Sequence, residues 1–138
     1  EVLEAAERYA IDPIFLVTQT TSDERIDRIV KKARGYLYLV AVLGVTGVRD
    51  QVSSGALELI SRVRKHTDIP LALGFGISSP EHAKTCTAAG IDGVIVGSAI
   101  VAIVERNLGS PESMEKELKD YVMHMKEAIK LGNQRIAP

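Results

Sequence analysis

The chain has 138 residues, of which 46% are hydrophobic and 25% charged, so its length and composition are those of one globular domain. Its 17 basic and 18 acidic residues leave a formal net charge of −1, and without a basic excess we expect no nucleic-acid partner. One cysteine excludes an intramolecular disulfide, no apolar run reaches the roughly 20 residues of a membrane helix, and no secretory signal pattern is present, so we expect a cytoplasmic chain without a membrane partner.

The first quarter of the chain predicts a helix, a strand and a second helix. The opening residues have helical periodicity, and the wholly apolar run at residues 14–17 is typical of a strand that is covered on both faces. Thr21 and Glu24 have the spacing of a capping box, in which both side chains bind free amides at a helix start. Apolar residues then recur at helical spacing up to Gly35, namely Ile26, Ile29, Val30 and Ala33.

Three further strand–helix units follow. Residues 36–40 predict the second strand, and a helix from about Ser54 presents one apolar stripe, formed by Leu57, Ile60 and Val63. Residues 70–73 predict the third strand, and the next helix has Ser79 as its cap and Pro80 at its first position. Residues 93–96 predict the fourth strand, which leads through residues 97–98 directly into a helix.

A second serine–proline pair, Ser110 and Pro111, predicts the capped start of a long amphipathic helix that reaches about Ile129. Residues 132–138 show no periodicity and are predicted to be an irregular tail, and we treat residues 1–138 as one domain segment. Four strand–helix units in series imply parallel strands with right-handed crossovers. An open doubly wound sheet and part of a barrel both fit this order.

Glycine marks three of the four predicted strand ends, which is where α/β proteins bind their ligands. The glycines lie in residues 44–47, 74–76 and 97–98. Glycine lets a ligand approach the backbone, and free amides at a helix start attract an anion. We therefore expect a phosphate between the third-strand loop and the helix start at Ser98, although each glycine alone also fits a tight turn. Neither a dinucleotide fingerprint nor a Walker loop is present.

No Asp, Glu, His, Lys or Cys stands within a predicted strand or directly at its carboxyl end, so no side chain there offers proton transfer. The nearest ionisable residues are interpreted as helix-capping or loop charges: Asp23, Glu24, Arg49 and Asp50. The histidines lack metal-ligand spacing and are interpreted as surface or helix-end residues: His66, His82 and His124. Cys86 is expected in the core, and Asp12 and Asp92 precede strands. We expect no catalytic side chain and no metal in this sequence.

Several segments together resemble the tryptophan synthase alpha subunit family. They are residues 14–17, 20–26, 35–40, 44–47, 74–81 and 97–101, and the similarity runs in order from the first residues to about Leu131. The three glycine-bearing segments are specific as a set, whereas each alone is not. Gln19 departs from the family, in which many members have proline, and residues 41–43 replace a more polar stretch.

The resemblance implies the C-terminal half of a (β/α)8 barrel, that is, strands five to eight with their helices. Members of this family cleave indole-3-glycerol phosphate to indole and glyceraldehyde 3-phosphate without a cofactor, and they pass the indole to a pyridoxal-phosphate beta subunit. The implied phosphate-binding residues are Gly47, Gly76, Gly97 and Ser98. The implied wall of the substrate pocket is formed by Leu16, Tyr38, Phe75 and Ile95, and Thr46 matches a loop residue that helps to set the catalytic aspartate.

The acid–base glutamate of the family and its partnering aspartate belong to strand two and the loop after it, and neither matches a residue of this sequence. We therefore expect the 138-residue polypeptide alone to be inactive. Two alternatives stay open. One is a half-barrel that binds phosphate or assembles with itself through its two open strand edges. The other is a different phosphate-binding barrel, such as an indole-glycerol-phosphate synthase or a phosphoribosyl isomerase, which the loop at residues 44–47 disfavours.

Overall fold

A computed structural model gives the fold of residues 1–41, 53–74 and 76–134. Helices and strands alternate in the predicted order. They are α1 (Val2–Arg8), β1 (Phe15–Thr18), α2 (Asp23–Val30), β2 (Leu37–Val40), α3 (Ser54–Arg64), β3 (Leu71–Gly74), α4 (Pro80–Ala88), β4 (Gly93–Val94), α5 (Ser98–Arg106) and α6 (Pro111–Asn133). Within these described ranges, no helix is long and apolar enough to cross a membrane.

The strands form one parallel sheet in the order β1-β2-β3-β4, so each strand pairs with the next one along the chain. Leu16 lies opposite Tyr38, which lies opposite Ala72 in β3. A doubly wound sheet reverses its strand order at a switch point, whereas a barrel adds each new strand on the same side. The unbroken order is therefore that of consecutive barrel strands, which confirms the predicted four-stranded parallel α/β fold.

The outer strands of the sheet are β1 and β4. The strand predicted at residues 93–96 is shorter than expected, because β4 contains only Gly93 and Val94. The Ile95 amide still donates a hydrogen bond to the Leu73 carbonyl oxygen at 2.8 Å, so the ladder continues for one more step. An outer strand has a pairing partner on one side only, and its end is correspondingly less regular.

One face of the sheet is sealed by helices. The side chains of Val17, Leu39 and Leu73 are fully buried there, in the same cluster as Ile60 and Val63 of α3. Removing an aliphatic side chain of this size from water contributes roughly 1.5–3 kcal/mol. This face therefore holds the main hydrophobic core of the described chain.

The opposite face, called here the open face, carries the alternate strand residues: Leu16, Thr18, Tyr38, Val40, Ala72 and, just beyond β4, Ile95. None of these residues is fully buried, and Leu16 is 60% exposed. No charged residue occurs within β1 to β4. The open face is thus mainly apolar, yet the described part of the chain covers it only in part.

Serine caps start three of the helices, α2, α3 and α4. The Ser79 hydroxyl accepts a hydrogen bond from the His82 amide at 3.3 Å, and Pro80 occupies the first position of α4, as predicted. Ser53 accepts from the Ala56 amide in the same way at the start of α3. These caps bind amides that have no partner within the helix, and each typically contributes about 1 kcal/mol.

The capping box predicted at Thr21 is wrong by one residue. Ser22 is the cap of α2, and its hydroxyl accepts a hydrogen bond from the Arg25 amide at 3.4 Å. The Thr21 hydroxyl accepts from the Thr18 amide at 3.0 Å instead, so it closes the turn after β1. Glu24 remains in the first helical turn, where a hydrogen bond with the Ser22 side chain lowers the pKa of its carboxyl group.

Helix α6 differs from its predicted form at both ends. The Ser110 hydroxyl donates to the Ser113 hydroxyl at 2.9 Å and does not cap an amide. The helix also continues to Asn133, so the irregular tail predicted from residue 132 is wrong for its first two residues. Gly132 is buried there, and a Cβ at this position would lie 2.7 Å from the Lys84 carbonyl oxygen. Glycine thus permits direct packing of α6 against α4.

An ion pair between Arg64 and Asp92 lies at the amino end of the sheet. One Asp92 carboxylate oxygen accepts hydrogen bonds from Arg64 at 2.6 Å and from the Leu71 amide at 2.8 Å. Arg64 also donates to the carbonyl oxygens of Thr67, Ile69 and Gly90. These contacts tie α3 to the starts of β3 and β4, and they confirm that Asp92 lies at the end of the sheet opposite the strand ends where ligands are expected.

Candidate functional site

The structure brings the predicted pocket-wall residues Leu16, Tyr38 and Ile95 onto the open face of the sheet. Leu16 and Tyr38 are register partners on β1 and β2. Ile95 follows β4 on the same face, because its amide continues the hydrogen-bond ladder to β3. A ligand on this face near the carboxyl end of the strands would therefore contact all three side chains.

The Tyr38 ring lies against the backbone of Gly74. A Cβ at Gly74 would come within 2.5 Å of the ring carbon that bears the phenol oxygen, a distance that real structures do not allow. A side chain at the end of β3 would therefore require the Tyr38 ring to move. The ring lies on the open face, next to the end of β3.

The glycine loop after β3 and the glycine before α5 lie at the same end of neighbouring strands. Leu73 pairs with Val94 in the parallel sheet. Gly76 follows the end of β3, and Gly97 and Ser98 follow the end of β4. Three of the predicted phosphate-binding residues, Gly76, Gly97 and Ser98, thus follow the carboxyl ends of two neighbouring strands, a region called here the glycine edge.

Gly97 is the residue before α5, and Ser98 is the first residue of that helix. No side chain caps the start of α5, and its first turn contains no acidic residue. The first amides of a helix have no partner within the helix, and the helix dipole makes this end partly positive. Gly97 and Ser98 are both exposed.

The backbone conformation favours glycine at residue 76 but not at residue 97. Gly76 has a φ of +86°, a left-handed conformation that other residues adopt only with strain. Gly97 has a φ of −120°, and among the described residues a Cβ there would find no atom within 4 Å. Neither a left-handed backbone nor packing in the described chain explains glycine at position 97.

Two contacts hold the loop between β3 and α4. The Tyr121 hydroxyl on α6 donates a hydrogen bond to the Ser78 carbonyl oxygen at 3.0 Å, and Ile77 is 2% exposed beneath the loop. Burial of the Tyr121 phenol raises its pKa, so it remains a donor at neutral pH. The sequence did not point to this role, because Tyr121 and Ser78 are 43 residues apart and only a helical stripe was visible.

Arg62 holds the loop after β1, a role that the sequence analysis also missed. Its guanidinium group donates to the carbonyl oxygens of Thr18, Gln19 and Thr21, the shortest of these bonds being 2.7 Å. Its Nε lies 3.6 Å from the Asp23 carboxylate. Arg62 therefore fixes the carboxyl end of β1 from the neighbouring helix α3.

The histidines and the cysteine lie on or beside helices. His66 lies just after α3 with its Nδ1 2.6 Å from Asp27 of α2, His82 is in the first turn of α4, and His124 is exposed on α6. Cys86 is buried in the core, as predicted, and burial raises the pKa of its thiol to about 11. No cluster of three metal-ligating side chains occurs in the described ranges.

A cavity with a volume of ≈ 660 Å³ lies between α1 and the end of α2, lined by residues such as Glu7, Asp12 and Lys32. Asp12 precedes β1 and Lys32 precedes β2, so this cavity opens at the amino ends of the strands. Ligands of parallel α/β folds bind at the opposite end. The uncapped start of α5 and its position after the carboxyl end of β4 therefore favour the glycine edge over this cavity as the ligand site.

Five residues considered above lie outside the described ranges. They are Thr46, Gly47, Arg49, Asp50 and Phe75. Of the described strand ends, none carries Asp, Glu, His, Lys or Cys. The described site can thus bind an anion through amides and a hydroxyl group, and its wall is apolar.

Comparison with known proteins identifies the family. A sequence model of the family described as "Tryptophan synthase alpha chain" matches residues 1–130. The tryptophan synthase alpha chain of Methanoregula boonei is 68% identical over 128 residues, which are 93% of this chain and 48% of that protein. This chain thus spans about half the length of the curated relatives it matches.

Solved structures agree with this result. The tryptophan synthase A-subunit of Pyrococcus furiosus superposes with a TM-score of 0.77 and 32% identity, over 91% of this chain and 49% of the other. A chain of the tryptophan synthase complex from the same organism superposes with a TM-score of 0.73 and 30% identity, over 91% and 48%. The glycine edge, the strand order and these matches lead to one conclusion: the chain belongs to the tryptophan synthase alpha chain family.

Proposed function

We propose that this chain forms the phosphate-binding, C-terminal half of a tryptophan synthase alpha subunit. The whole subunit is a carbon–carbon lyase that cleaves indole-3-glycerol phosphate to indole and glyceraldehyde 3-phosphate, and this chain supplies barrel strands five to eight. In this proposal the substrate phosphate binds Gly47, Gly76, Gly97 and Ser98. The indole and glycerol parts contact Leu16, Tyr38, Thr46, Phe75 and Ile95.

The observation that carries this proposal is the uncapped start of α5 behind Gly97. Gly97 and Ser98 are exposed, no acidic residue lies in the first turn, and a Cβ at Gly97 would meet no atom of the described chain. A phosphate monoester carries up to two negative charges and accepts several hydrogen bonds, which matches a helix start with free amides. Ser98 adds a hydroxyl donor at the same point.

The same residues do not supply proton transfer. Cleavage of the substrate requires a proton at the indole ring and removal of a proton from a glycerol hydroxyl group, and glycine amides perform neither task. In this proposal the acid–base glutamate and aspartate come from the other half of the barrel. The contribution of this chain is to fix the phosphate and thereby to orient the bond that breaks.

The proposed partner of the whole subunit is a tryptophan synthase beta subunit, because one of the matched structures is a tryptophan synthase complex. The proposed reaction requires no cofactor in the alpha subunit. We also propose a cytoplasmic location, in keeping with a single buried thiol.

Binding of glycerol 3-phosphate tests the phosphate site. We expect Gly97→Ala to fold normally and to weaken binding about tenfold, because a methyl group blocks approach to the helix start. Ser98→Ala should weaken binding by a similar factor, since a hydrogen bond to a charged group contributes about 1.5–3 kcal/mol. Isothermal titration calorimetry measures both affinities.

Gly109→Ala is the matched control, because this glycine also has open space around its Cβ position among the described residues but lies beyond the other end of α5. Its affinity should equal that of the unchanged chain. Equal affinity of Gly97→Ala and the unchanged chain, with a preserved fold, would remove the phosphate assignment.

The activity of the isolated polypeptide tests whether the acid–base residues belong to the other half of the barrel. We expect the 138-residue chain to release no indole from indole-3-glycerol phosphate above the uncatalysed background. A fluorescence assay for indole detects the product, and the full-length Methanoregula boonei alpha chain serves as the positive control. Indole release that is lost in Ser98→Ala would show that this half contains catalytic groups of its own.

A further inference from the structure

A guanidinium group holds the turn after β1. The Nη2 atom of Arg62 lies within 3.4 Å of the carbonyl oxygens of Thr18, Gln19 and Thr21, and its bond to Thr21 is 2.7 Å long. Three carbonyl dipoles that converge on one point repel one another unless a positive charge lies between them. The conformation of this turn therefore depends on the charge of Arg62.

The helix that carries Arg62 is anchored in the core. In α2, which follows the turn and is described in full, only Ile26 is buried. By contrast, α3 buries four residues: Ala56, Leu59, Ile60 and Val63. Buried side chains are close-packed and resist displacement, so α3 is a fixed base from which Arg62 reaches the turn.

A second contact joins the same turn to α3. A Cβ at Gly55 would lie 2.5 Å from the side-chain nitrogen of Gln19, so the Gln19 amide group lies directly over the start of the helix. Gly55 is the second residue of α3, and Arg62 belongs to its last turn. The turn after β1 is thus attached near both ends of one helix.

The turn adjoins the proposed substrate pocket. Thr18 is the last residue of β1, and Leu16, two residues earlier on the same face, belongs to the proposed pocket wall. The proposed phosphate site follows β4, three strand spacings or about 14 Å away along the sheet. The part of the substrate that reaches Leu16 is therefore the apolar indole ring, which lies at the far end from the phosphate.

We propose that Arg62 is a positioning residue, which sets the carboxyl end of β1 and thereby places the Leu16 wall against the indole ring of the substrate. This inference rests on the proposed function and adds to it a residue that does not touch the substrate. A displaced turn would move the end of β1 and the Leu16 side chain with it. Binding of the indole ring therefore depends on Arg62, whereas binding of the phosphate at Gly97 and Ser98 does not.

Arg64 offers a matched control on the same helix. Like Arg62, it donates to three carbonyl oxygens and pairs with an aspartate, here Asp92. Its partners precede β3 and β4, at the other end of the sheet. Loss of either arginine thus removes a comparable set of contacts. A purely structural role would give both variants the same kinetic constants, whereas a positioning role affects Arg62 alone.

Steady-state kinetics of the whole alpha subunit that contains this chain test the inference, with indole release from indole-3-glycerol phosphate as the assay. We expect Arg62→Met to raise KM at least about tenfold and to change kcat less than about threefold, because the wall contacts the substrate before and during cleavage. The inhibition constant of glycerol 3-phosphate should stay within about twofold, since this ligand lacks the indole ring. Arg62→Lys keeps the charge but cannot span three carbonyl oxygens, so we expect an intermediate KM.

Arg64→Met should lower the urea midpoint of unfolding and leave KM unchanged. Loss of folded protein lowers kcat without raising KM, and circular dichroism checks the fold of each variant. If Arg62→Met does not fold, Arg62→Lys carries the comparison.

Three results would overturn the inference. In the first, every folded Arg62 variant keeps the KM of the unchanged subunit. In the second, glycerol 3-phosphate binding weakens as much as KM rises, and in the third, Arg64→Met raises KM to the same extent as Arg62→Met. An unchanged subunit that releases no indole would instead contradict the proposed function, and this inference with it.

Discussion

Cys86 is a buried residue whose location was predicted from the sequence. It was expected in the core as a small residue within the helix that follows Pro80, and the structure buries it completely. Burial raises the pKa of its thiol to about 11, since a thiolate loses its hydration in an apolar environment. The thiolate, which is the reactive form, is therefore scarce at neutral pH.

Reactivity of Cys86 should accordingly be low in the folded chain and rise steeply with pH. At pH 8 we expect labelling by a disulfide reagent to be at least about 100-fold slower in buffer than in urea, because the thiolate is scarce and access is blocked. The neutral buried thiol contributes fully to the free energy of unfolding below about pH 9. This stabilising contribution is lost as the pH rises through the raised pKa of about 11. The chain has one cysteine, so each labelling rate belongs to this residue. Equal rates in buffer and in urea at pH 8 would contradict the prediction.

Other residues could not be assigned from local pattern. Thr21 and Ser22 are adjacent hydroxyl residues, and either fits a helix cap, so the sequence could not show that Thr21 binds the Thr18 amide. Arg62 and Tyr121 bind carbonyl oxygens about 40 residues away in the chain. Such contacts depend on the three-dimensional course of the chain and leave no periodic signal.

At the scale of elements, the order of helices and strands was predictable and their ends were less so. Wholly apolar runs identified β1, β2 and β3 to within one residue, because the interior of a parallel sheet demands them. β4 is two residues shorter than its apolar run, since an outer strand lacks a second neighbour. The end of α6 was missed because Gly132 usually signals a helix end, whereas here it provides room for α4.

Gly132→Ala tests the packing of α6 against α4. The new Cβ would approach the Lys84 carbonyl oxygen and the Thr87 side chain within 3 Å, so the helices must separate. We expect a loss of about 1–3 kcal/mol in the free energy of unfolding, as measured by urea denaturation. Asn133→Ala, at the exposed neighbouring position, should change the stability little. If Gly132→Ala is as stable as the unchanged chain, the two helices are not in direct contact at this point.

At the scale of the whole molecule, strand order decided between the two architectures that the sequence left open. The sequence predicted parallel strands but could not tell a doubly wound sheet from barrel strands, because both have the same alternation of elements. The family resemblance favoured the barrel, and the unbroken β1-β2-β3-β4 order confirms it. The sequence predicted Gly76, Gly97 and Ser98 as phosphate-binding residues, and this stays a prediction, while the contacts that hold the loop required the structure.

Amide hydrogen exchange should reveal an uneven distribution of stability across this sheet. We expect the slowest exchange in β2 and β3, which have neighbours on both sides and lie under the fully buried core residues. The amides of α1 should exchange fastest among the helices, because α1 contains no buried residue. The measurement is mass-spectrometric exchange at peptide resolution. Equal protection of α1 and β3 would show that the segment before β1 is part of the core.

The ion-paired cluster of Arg64 and Asp92 has a consequence for the adaptability of this fold. It holds the starts of β3 and β4 at the end of the sheet opposite the glycine-bearing turns. Residues exchanged in those turns therefore leave this cluster in place. A protein engineer could replace the turns after β3 and β4 with those of another barrel and retain this anchor of the scaffold.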